Sequence, residues 1–341
     1  MKILMNQTET NSSLVVLARF EIVAACIIYG FGFIGNLFAL IVFSSLLEFR
    51  RISTGVLFLL MTISNFFHLW TLTIGFIGIS GKYIYFNIFF YCQFNPFIEN
   101  ISRAMSTYFS VGIAVDRFVR SEIPIRAKNI CTRRNIFILT TILFAIFSIF
   151  WSFYLYPLGN YILQDGICIY NQTNHYAFFL TNVHIPLRAT MLCFLPIITM
   201  SASNIRMMRN IRQARNRVVD ILQIAEGNKS STIISSTVLN GPVGRRTLAV
   251  DRMLLYMMIA NIFTFIITQI PFHVYTVMQI YMIQLDTYVH SLIYALLLIW
   301  SSVYFGIAFY LYCLASPLFR RKFIRISRKL INCQMCLRPT A

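Results

Sequence analysis

Seven long apolar blocks dominate this sequence of 341 residues. They lie near 22–47, 54–79, 91–118, 135–157, 181–205, 253–280 and 290–314. A helix needs about 20 mainly apolar residues to cross the hydrocarbon core of a bilayer, and each block is long enough. Charged residues make up only 12% of the chain, against about a quarter in a soluble domain. The sequence therefore predicts an all-α membrane protein, a seven-transmembrane helix bundle over residues 22–314.

The basic residues predict the orientation of this bundle. Most of the 29 Lys and Arg residues lie in the loops after the first, third and fifth blocks and in the tail after the seventh. Short basic loops stay in the cytoplasm. We therefore expect an extracellular tail at 1–21, a cytoplasmic tail at 315–341, and a multi-pass protein of the plasma membrane. The net charge of +18 follows from this orientation, so no nucleic-acid partner is needed to explain it.

Three glycosylation sequons fall on the predicted outer side, at Asn6, Asn11 and Asn171. Carrier asparagines of this kind lie on outer surfaces of secreted and membrane proteins. Two further sequons, at Asn100 and Asn228, fall within a block and on the inner side, and we predict that both stay unmodified.

Short motifs recur in a fixed order along the seven blocks. The third block begins near Cys92 and ends in Asp116-Arg117-Phe118, and the loop after the fourth block contains Cys168. Further motif residues are Gly35-Asn36, Ser64-Asn65, Pro196, Phe265, Pro271 and Tyr312, followed by Ser316 and Phe319-Arg320. In this order and spacing, from about residue 25 to 330, the chain resembles the rhodopsin-like (class A) G-protein-coupled receptors.

The resemblance implies roles for several of these residues. It implies a disulfide between Cys92 and Cys168, and activation and G-protein coupling through Asp116, Arg117 and Tyr312. It also implies an extracellular ligand and a heterotrimeric G protein as partners. Asp251 stands about 30 Å of helix before Pro271, at the inner end of the sixth block, where it faces Arg117 in the family arrangement.

The chain also departs from the family pattern. Ala308-Phe309-Tyr310-Leu311-Tyr312 replaces Asn-Pro-x-x-Tyr, Thr268-Gln269-Ile270-Pro271 replaces Cys-Trp-x-Pro, and Asn65 replaces the aspartate of the second span. The family's sodium pocket is built around that aspartate. The chain therefore resembles divergent members of this family, and it is most similar in character to invertebrate orphan and peptide-type receptors.

Polar residues on one face of the third block predict a ligand site. Asn95, Glu99, Arg103, Ser106 and Ser110 recur at helical spacing. Ionisable groups at this depth face the bundle interior or a wet cavity. By family position, the residues that line the ligand site are Glu99, Asn100, Arg103, Arg188, Gln269 and His273.

Two interpretations of Glu99 and Arg103 remain open. At i and i+4 they can neutralise each other as a helical ion pair. Alternatively they set the field of the ligand site, with Arg188 unmatched by any acid. In that case an excess of positive charge favours a carboxylate, such as the C-terminus of a peptide, over a biogenic amine.

An amphipathic helix is predicted after the seventh block. Phe319, Phe323, Ile326 and Leu330 share one face, with basic residues between them, which is typical of helices that lie on membrane lipids. Cys333 and Cys336 follow as candidates for palmitoylation, because two cysteines alone are too few to hold zinc.

We find no motif of an enzyme in the sequence. It shows no phosphate-binding loop, no cluster of metal ligands and no nucleophile motif, so we expect no catalysis, no cofactor and no metal. The alternative class is a seven-span transporter or ligand-gated pore, although the two-half repeat that is common in transporters is not visible in the sequence.

The sequence predicts a testable lock between Arg117 and Asp251. An ion pair between the inner ends of spans three and six favours the closed state, and a partly shielded pair stabilises it by about 1 kcal/mol. We therefore expect Asp251→Asn to raise ligand-free signalling several-fold at equal surface expression, measured as second-messenger output. Arg117→Ala is expected to abolish coupling while leaving a folded receptor. Unchanged basal signalling of Asp251→Asn would mean that both groups are simply solvated at the membrane surface.

Overall fold

The computed structural model describes residues 2–46, 50, 52–79, 87–155, 162–164, 167–169, 178–227, 242–280 and 287–336. Long helices account for nearly all of these residues, as predicted. Most of the predicted blocks coincide with one continuous helix. The fifth is instead divided into α-helical and π-helical segments.

We number the membrane helices as spans one to seven. Span one is Lys2–Ser45 and span two is Ser53–Ile79. Span three is the π-helical turn Phe90–Phe94 with Asn95–Glu122. Span four is Arg133–Trp151, extended by the 3₁₀ turn Ser152–Tyr154, and a short helix, Pro124–Ile130, precedes it. Span five comprises Phe179–His184 (π), Ile185–Ala189 (α), Thr190–Phe194 (π) and Leu195–Gly227 (α). Span six is Pro242–Met278, span seven is Thr287–Ala315, and the helix after it is Pro317–Cys336.

In six of the spans the apolar stretch lies close to the predicted block. Span one extends through polar residues from Lys2, but its apolar part begins at Arg19, near the predicted start at 22. Among the described residues, six helices are long and apolar enough to cross a membrane. Span three is not apolar enough to be among these six helices.

Span three differs because it lies in the centre of the bundle. It contacts spans two, four, five and six, and more than half of the residues of Asn95–Glu122 are buried. A helix surrounded by protein needs little apolar surface for lipid, and its polar side chains find partners inside the bundle. Its polarity therefore reflects its central position and agrees with a seven-helix bundle.

A short antiparallel hairpin, which the sequence analysis did not predict, follows span four. Strand β1, Ile162–Gln164, pairs with β2, Ile167–Ile169, so that Leu163 lies opposite Cys168. Strands this short carry little hydrophobic periodicity, which is the main signal for a strand in a sequence.

The predicted amphipathic helix is confirmed as Pro317–Cys336. The Ser316 hydroxyl caps it by accepting a hydrogen bond from the backbone N–H of Phe319 at 3.2 Å. Phe319 is fully buried against Phe43 and Tyr312, and Phe323 packs on Phe38. The apolar face of this helix therefore anchors on the bundle itself.

Spans one and seven meet at two glycines. A Cβ atom on Gly306 would lie 3.0 Å from the Cα of Gly32, and one on Gly32 would lie 2.7 Å from a Leu69 methyl group. Lipid is as apolar as the helix surface, so the hydrophobic effect does not drive membrane helices together. Small residues instead allow two helices to approach closely, which strengthens the van der Waals contacts between them.

We predict that Gly306→Val destabilises the protein by about 1–3 kcal/mol, because the side chain must separate two backbones in contact. The measurement is the apparent melting temperature of the purified protein. Gly30→Val is the matched control, since a Cβ at Gly30 has no atom within 4 Å. Equal melting temperatures of the two variants would contradict the close-contact explanation.

Candidate functional site

Spans two, three and six carry buried polar side chains, and the charge of Arg103 acts on the two histidines among them. His68, Asn100, Arg103, Gln269 and His273 are all at most 4% exposed. Side chains of this kind are costly inside a membrane protein unless they are paired or functional. We call this group the polar cluster.

Arg103 is the centre of the polar cluster. Its Nη2 atom lies 3.6 Å from Oε1 of Glu99, one turn away, so the ion pair predicted from the i,i+4 spacing is present. The guanidinium also lies 5.6 Å from the centroid of the Phe272 ring, within the range of a cation–π contact. Glu99 is 22% exposed, whereas Arg103 is 1% exposed. The Glu99 carboxylate is therefore partly accessible, whereas the guanidinium of Arg103 is enclosed by its neighbours.

Arg188 brings a second positive charge to the same place. It is half-buried in Ile185–Ala189, the α-helical segment between two π-helical turns of span five. Such π-bulges are frequent at functional sites. The charge of Arg188 acts on both Arg103 and His273. Two guanidinium groups thus face one carboxylate among the described residues of this site.

Two other predicted site residues are engaged within the bundle. Gln269 donates from Nε2 to the carbonyl of Ser301 at 2.8 Å, which joins spans six and seven. Asn100 donates from Nδ2 to the carbonyl of Pro96 at 2.8 Å, within its own helix. The structure therefore brings Glu99, Arg103, Arg188 and His273 together, and it gives the amides of Gln269 and Asn100 a structural role.

The sequence analysis missed His68. This fully buried residue of span two places its Nδ1 atom 3.3 Å from the carbonyl oxygen of Glu99, and its ring stands 4.2 Å from that of Phe305. A single histidine in an apolar block carries little signal. Its position three residues after Asn65, on the same helical face, could have indicated an inward orientation.

A second group, of which only Ser110 was predicted from the sequence, lies closer to Arg117 along span three. The hydroxyls of Ser110 and Tyr304 are 2.6 Å apart, and Nδ2 of Asn261 lies 3.1 Å from the former and 3.3 Å from the latter. These three buried residues belong to spans three, seven and six. We call them the central hub, because they join the three spans by side-chain hydrogen bonds.

Asn65 and Ser106, which the resemblance described above assigns to the position of a sodium pocket, contact each other. The Ser106 hydroxyl donates a hydrogen bond to Oδ1 of Asn65, and both side chains are buried. The span-two side chain is thus a neutral amide whose oxygen already has a partner.

The Arg117 end of span three contains the predicted coupling residues. Asp116 accepts hydrogen bonds from Ser53 at 2.5 Å and from Thr54, and it pairs with Nε of Arg120 at 3.1 Å. Nη2 of Arg120 also donates to the carbonyl of Cys131 at 3.3 Å. Asp116 therefore ties span three to the start of span two and to the loop before span four.

Among the other residues predicted for the Arg117 end of the bundle, the structure describes some side chains and not others. Tyr312 is fully buried and packs edge-on against Phe43 and Phe58. Burial, followed by the charge of Asp116, raises the pKa of the Cys131 thiol to about 11, so this loop cysteine stays protonated. The side chain of Asp251 lies outside the described residues, and the Arg117–Asp251 lock remains a prediction.

The predicted modification sites also remain predictions. The side chains of Asn6, Asn11, Cys333 and Cys336, and the whole of Asn171, lie outside the described residues. Cys92 is buried at the start of span three. The side chain of Cys168 is not among those described, so their pairing is not tested.

The bundle and its polar interior are those of a seven-helix membrane receptor. The family described as "7 transmembrane receptor (rhodopsin family)" matches residues 35–310. This match covers well over half of the chain, so the protein belongs to that family, as the order of its motifs predicted. No curated protein matches the chain.

The neutral Asn65–Ser106 pair leads to a prediction about sodium. Without a carboxylate, nothing at this position offsets the hydration energy that Na⁺ loses on entering the bundle. We therefore expect agonist affinity to be the same in Na⁺ and in an equal concentration of a bulky organic cation, measured by competition binding with chloride held constant. A drop in affinity specific to Na⁺ would contradict this.

Proposed function

We propose that this protein is a G-protein-coupled receptor for an extracellular ligand that bears a carboxylate, with a peptide as the favoured case. In this proposal the Cys92 end of the bundle faces the outside of the plasma membrane and the Arg117 end faces a heterotrimeric G protein. The observation that supports it is the charge balance around Arg103, which pairs with Glu99 and on which the second guanidinium, that of Arg188, acts.

The ligand carboxylate is assigned to Arg188. This guanidinium is only half-buried, and a carboxylate can accept two parallel hydrogen bonds from its planar fork. The side chain of Arg103 is only 1% exposed, so a ligand does not reach it directly. A ligand ammonium is disfavoured because the Glu99 carboxylate is already paired with Arg103 and because two positive charges stand nearby.

A route from this site to the Arg117 end supports the receptor function. His68 and Gln269 bind the backbones of spans three and seven, and the central hub ties spans three, six and seven one layer further along. A ligand that shifts span six against spans three and seven must rearrange the bonds that Gln269 and Asn261 make. Coupling between distant sites needs such an element with two arrangements.

The need for a ligand carboxylate is tested with pairs of compounds that differ only in that group. Cells that express the receptor are screened with peptides and carboxylate metabolites, and each active compound is compared with its C-terminal amide or ester. We expect the neutral analogue to lose about 10- to 100-fold in potency, the loss of one charged pair in a partly buried site. Arg188→Gln is expected to remove this difference, while Arg19→Gln, an exposed arginine near the predicted outer surface, preserves it.

Two results would contradict the carboxylate assignment. One is equal potency of acids and their neutral analogues at the unmodified receptor. The other is a Glu99→Gln variant that loses only amine ligands. Receptor function itself is checked separately: a guanine nucleotide should lower agonist affinity in membranes, whereas ligand-driven current or uptake without a G protein would indicate the transporter or pore alternative.

A further inference from the structure

A groove between spans one and seven opens on the outer surface of the bundle. Its floor is the place where Gly32 and Gly306 bring the two backbones together. Ile27 and Phe31 form part of the wall on span one and are 54% and 61% exposed. The groove has a volume of about 340 Å³, which lies within the range of small-molecule sites, about 300–1,000 Å³. It therefore has room for a ligand.

The wall of this groove is apolar throughout. The described residues that line it expose no polar atom to it. The one hydroxyl nearby, on Tyr310, donates a hydrogen bond to the carbonyl of Phe31 at 3.0 Å and is therefore engaged. Because spans one and seven are membrane helices, this surface contacts lipid, which has no water to displace. An occupant of the groove must therefore present hydrocarbon to it.

A polar group lies on the same face of span one, closer to its N-terminal end. Glu21 stands seven residues, or about two helical turns, before Ile28 in the wall of the groove, and it is half-buried. The eleven residues from Glu21 to Gly32 correspond to about 16 Å of helix. The hydrocarbon of one leaflet, half of the bilayer core, is about 15 Å thick. The face thus matches a molecule of one leaflet, with its polar end at Glu21 and its hydrocarbon end on the glycine floor.

We propose that this face binds a sterol of the surrounding membrane, whose hydroxyl donates a hydrogen bond to the carboxylate of Glu21. A carboxylate accepts from a hydroxyl and repels the phosphate of a phospholipid or the carboxylate of a fatty acid. Fused rings are also rigid, so a sterol loses less conformational entropy on binding than a flexible acyl chain does. The inference goes beyond the proposed function, because the sterol binds without a ligand.

The site is tested on the purified, ligand-free, full-length protein in nanodiscs of dioleoylphosphatidylcholine that hold one copy each. A diazirine derivative of cholesterol is photoactivated, and labelled peptides of spans one and seven are quantified by mass spectrometry. We expect saturable labelling that unlabelled cholesterol competes away. Ile27→Trp fills the groove and should weaken the labelling at least about fivefold.

The matched control for this variant is Ile34→Trp. Ile34 is 50% exposed on the same face of span one, but it does not line the groove, so labelling should be unchanged. Equal labelling of the two variants, or labelling that never saturates, would mean that sterol touches the surface without a site, and either result overturns the proposal.

The hydrogen bond to Glu21 is tested with a competitor that lacks the hydroxyl. We expect 5-cholestene to compete about three- to tenfold less well than cholesterol, which is the worth of one hydrogen bond. Glu21→Leu should remove this difference, whereas Glu21→Gln, whose amide oxygen still accepts, should keep it. The same difference in Glu21→Leu as in the unmodified protein overturns the assignment of the hydroxyl.

Other occupants of the groove give different results in the same assay. Competition by monooleoylglycerol as strong as that by cholesterol would identify an acyl chain. Loss of labelling in nanodiscs that hold two copies would show that a second copy of the chain covers the groove. Either outcome overturns the sterol assignment. Because no agonist or G protein is involved, these results are independent of the test of the proposed function.

Discussion

The burial of charged side chains on span three is the constraint on which the rest of this structure depends. Arg103 and Asp116 cannot face lipid, because a charge in the hydrocarbon region is strongly disfavoured. Span three must therefore be enclosed by its neighbours, and spans two, four, five and six contact it. The same enclosure explains why this helix is the most polar span and yet the central one. The ion pairs, the cation–π contact and the hydrogen bonds of Arg103 and Asp116 follow from this enclosure.

Polar contacts extend from this constraint along the whole of span three. The polar cluster around Arg103 is followed by the Asn65–Ser106 pair, then by the central hub, and finally by Asp116 with Ser53, Thr54 and Arg120. These layers join span three to spans two, six and seven. Between these layers the helices are held by aromatic packing and by the close approach of Gly32 and Gly306. These contacts hold the spans in one defined arrangement.

The departures from the family pattern occur together in the middle of the bundle. Asn65, Gln269 and Ala308 replace residues that define the family's sodium site and its span-six and span-seven motifs. In this chain the layer is filled by bonds among neutral side chains, with Tyr304 and Asn261 meeting Ser110. The chain belongs to the family, and the polar contacts of this layer are made by Asn261, Ser110 and Tyr304.

The amino-acid sequence by itself determined the number of spans, their approximate limits, the family and the amphipathic helix at Pro317–Cys336. These depend on the length and periodicity of apolar residues, which local sequence expresses directly. The i,i+4 pair of Glu99 and Arg103 could also be read from spacing. Only the tertiary structure decided that His68 joins the polar cluster, that Gln269 binds the backbone of Ser301, and that Ser110, Asn261 and Tyr304 meet. Such contacts join residues as far as 194 positions apart, and they depend on how each helix is rotated in the bundle, which a single apolar block does not specify.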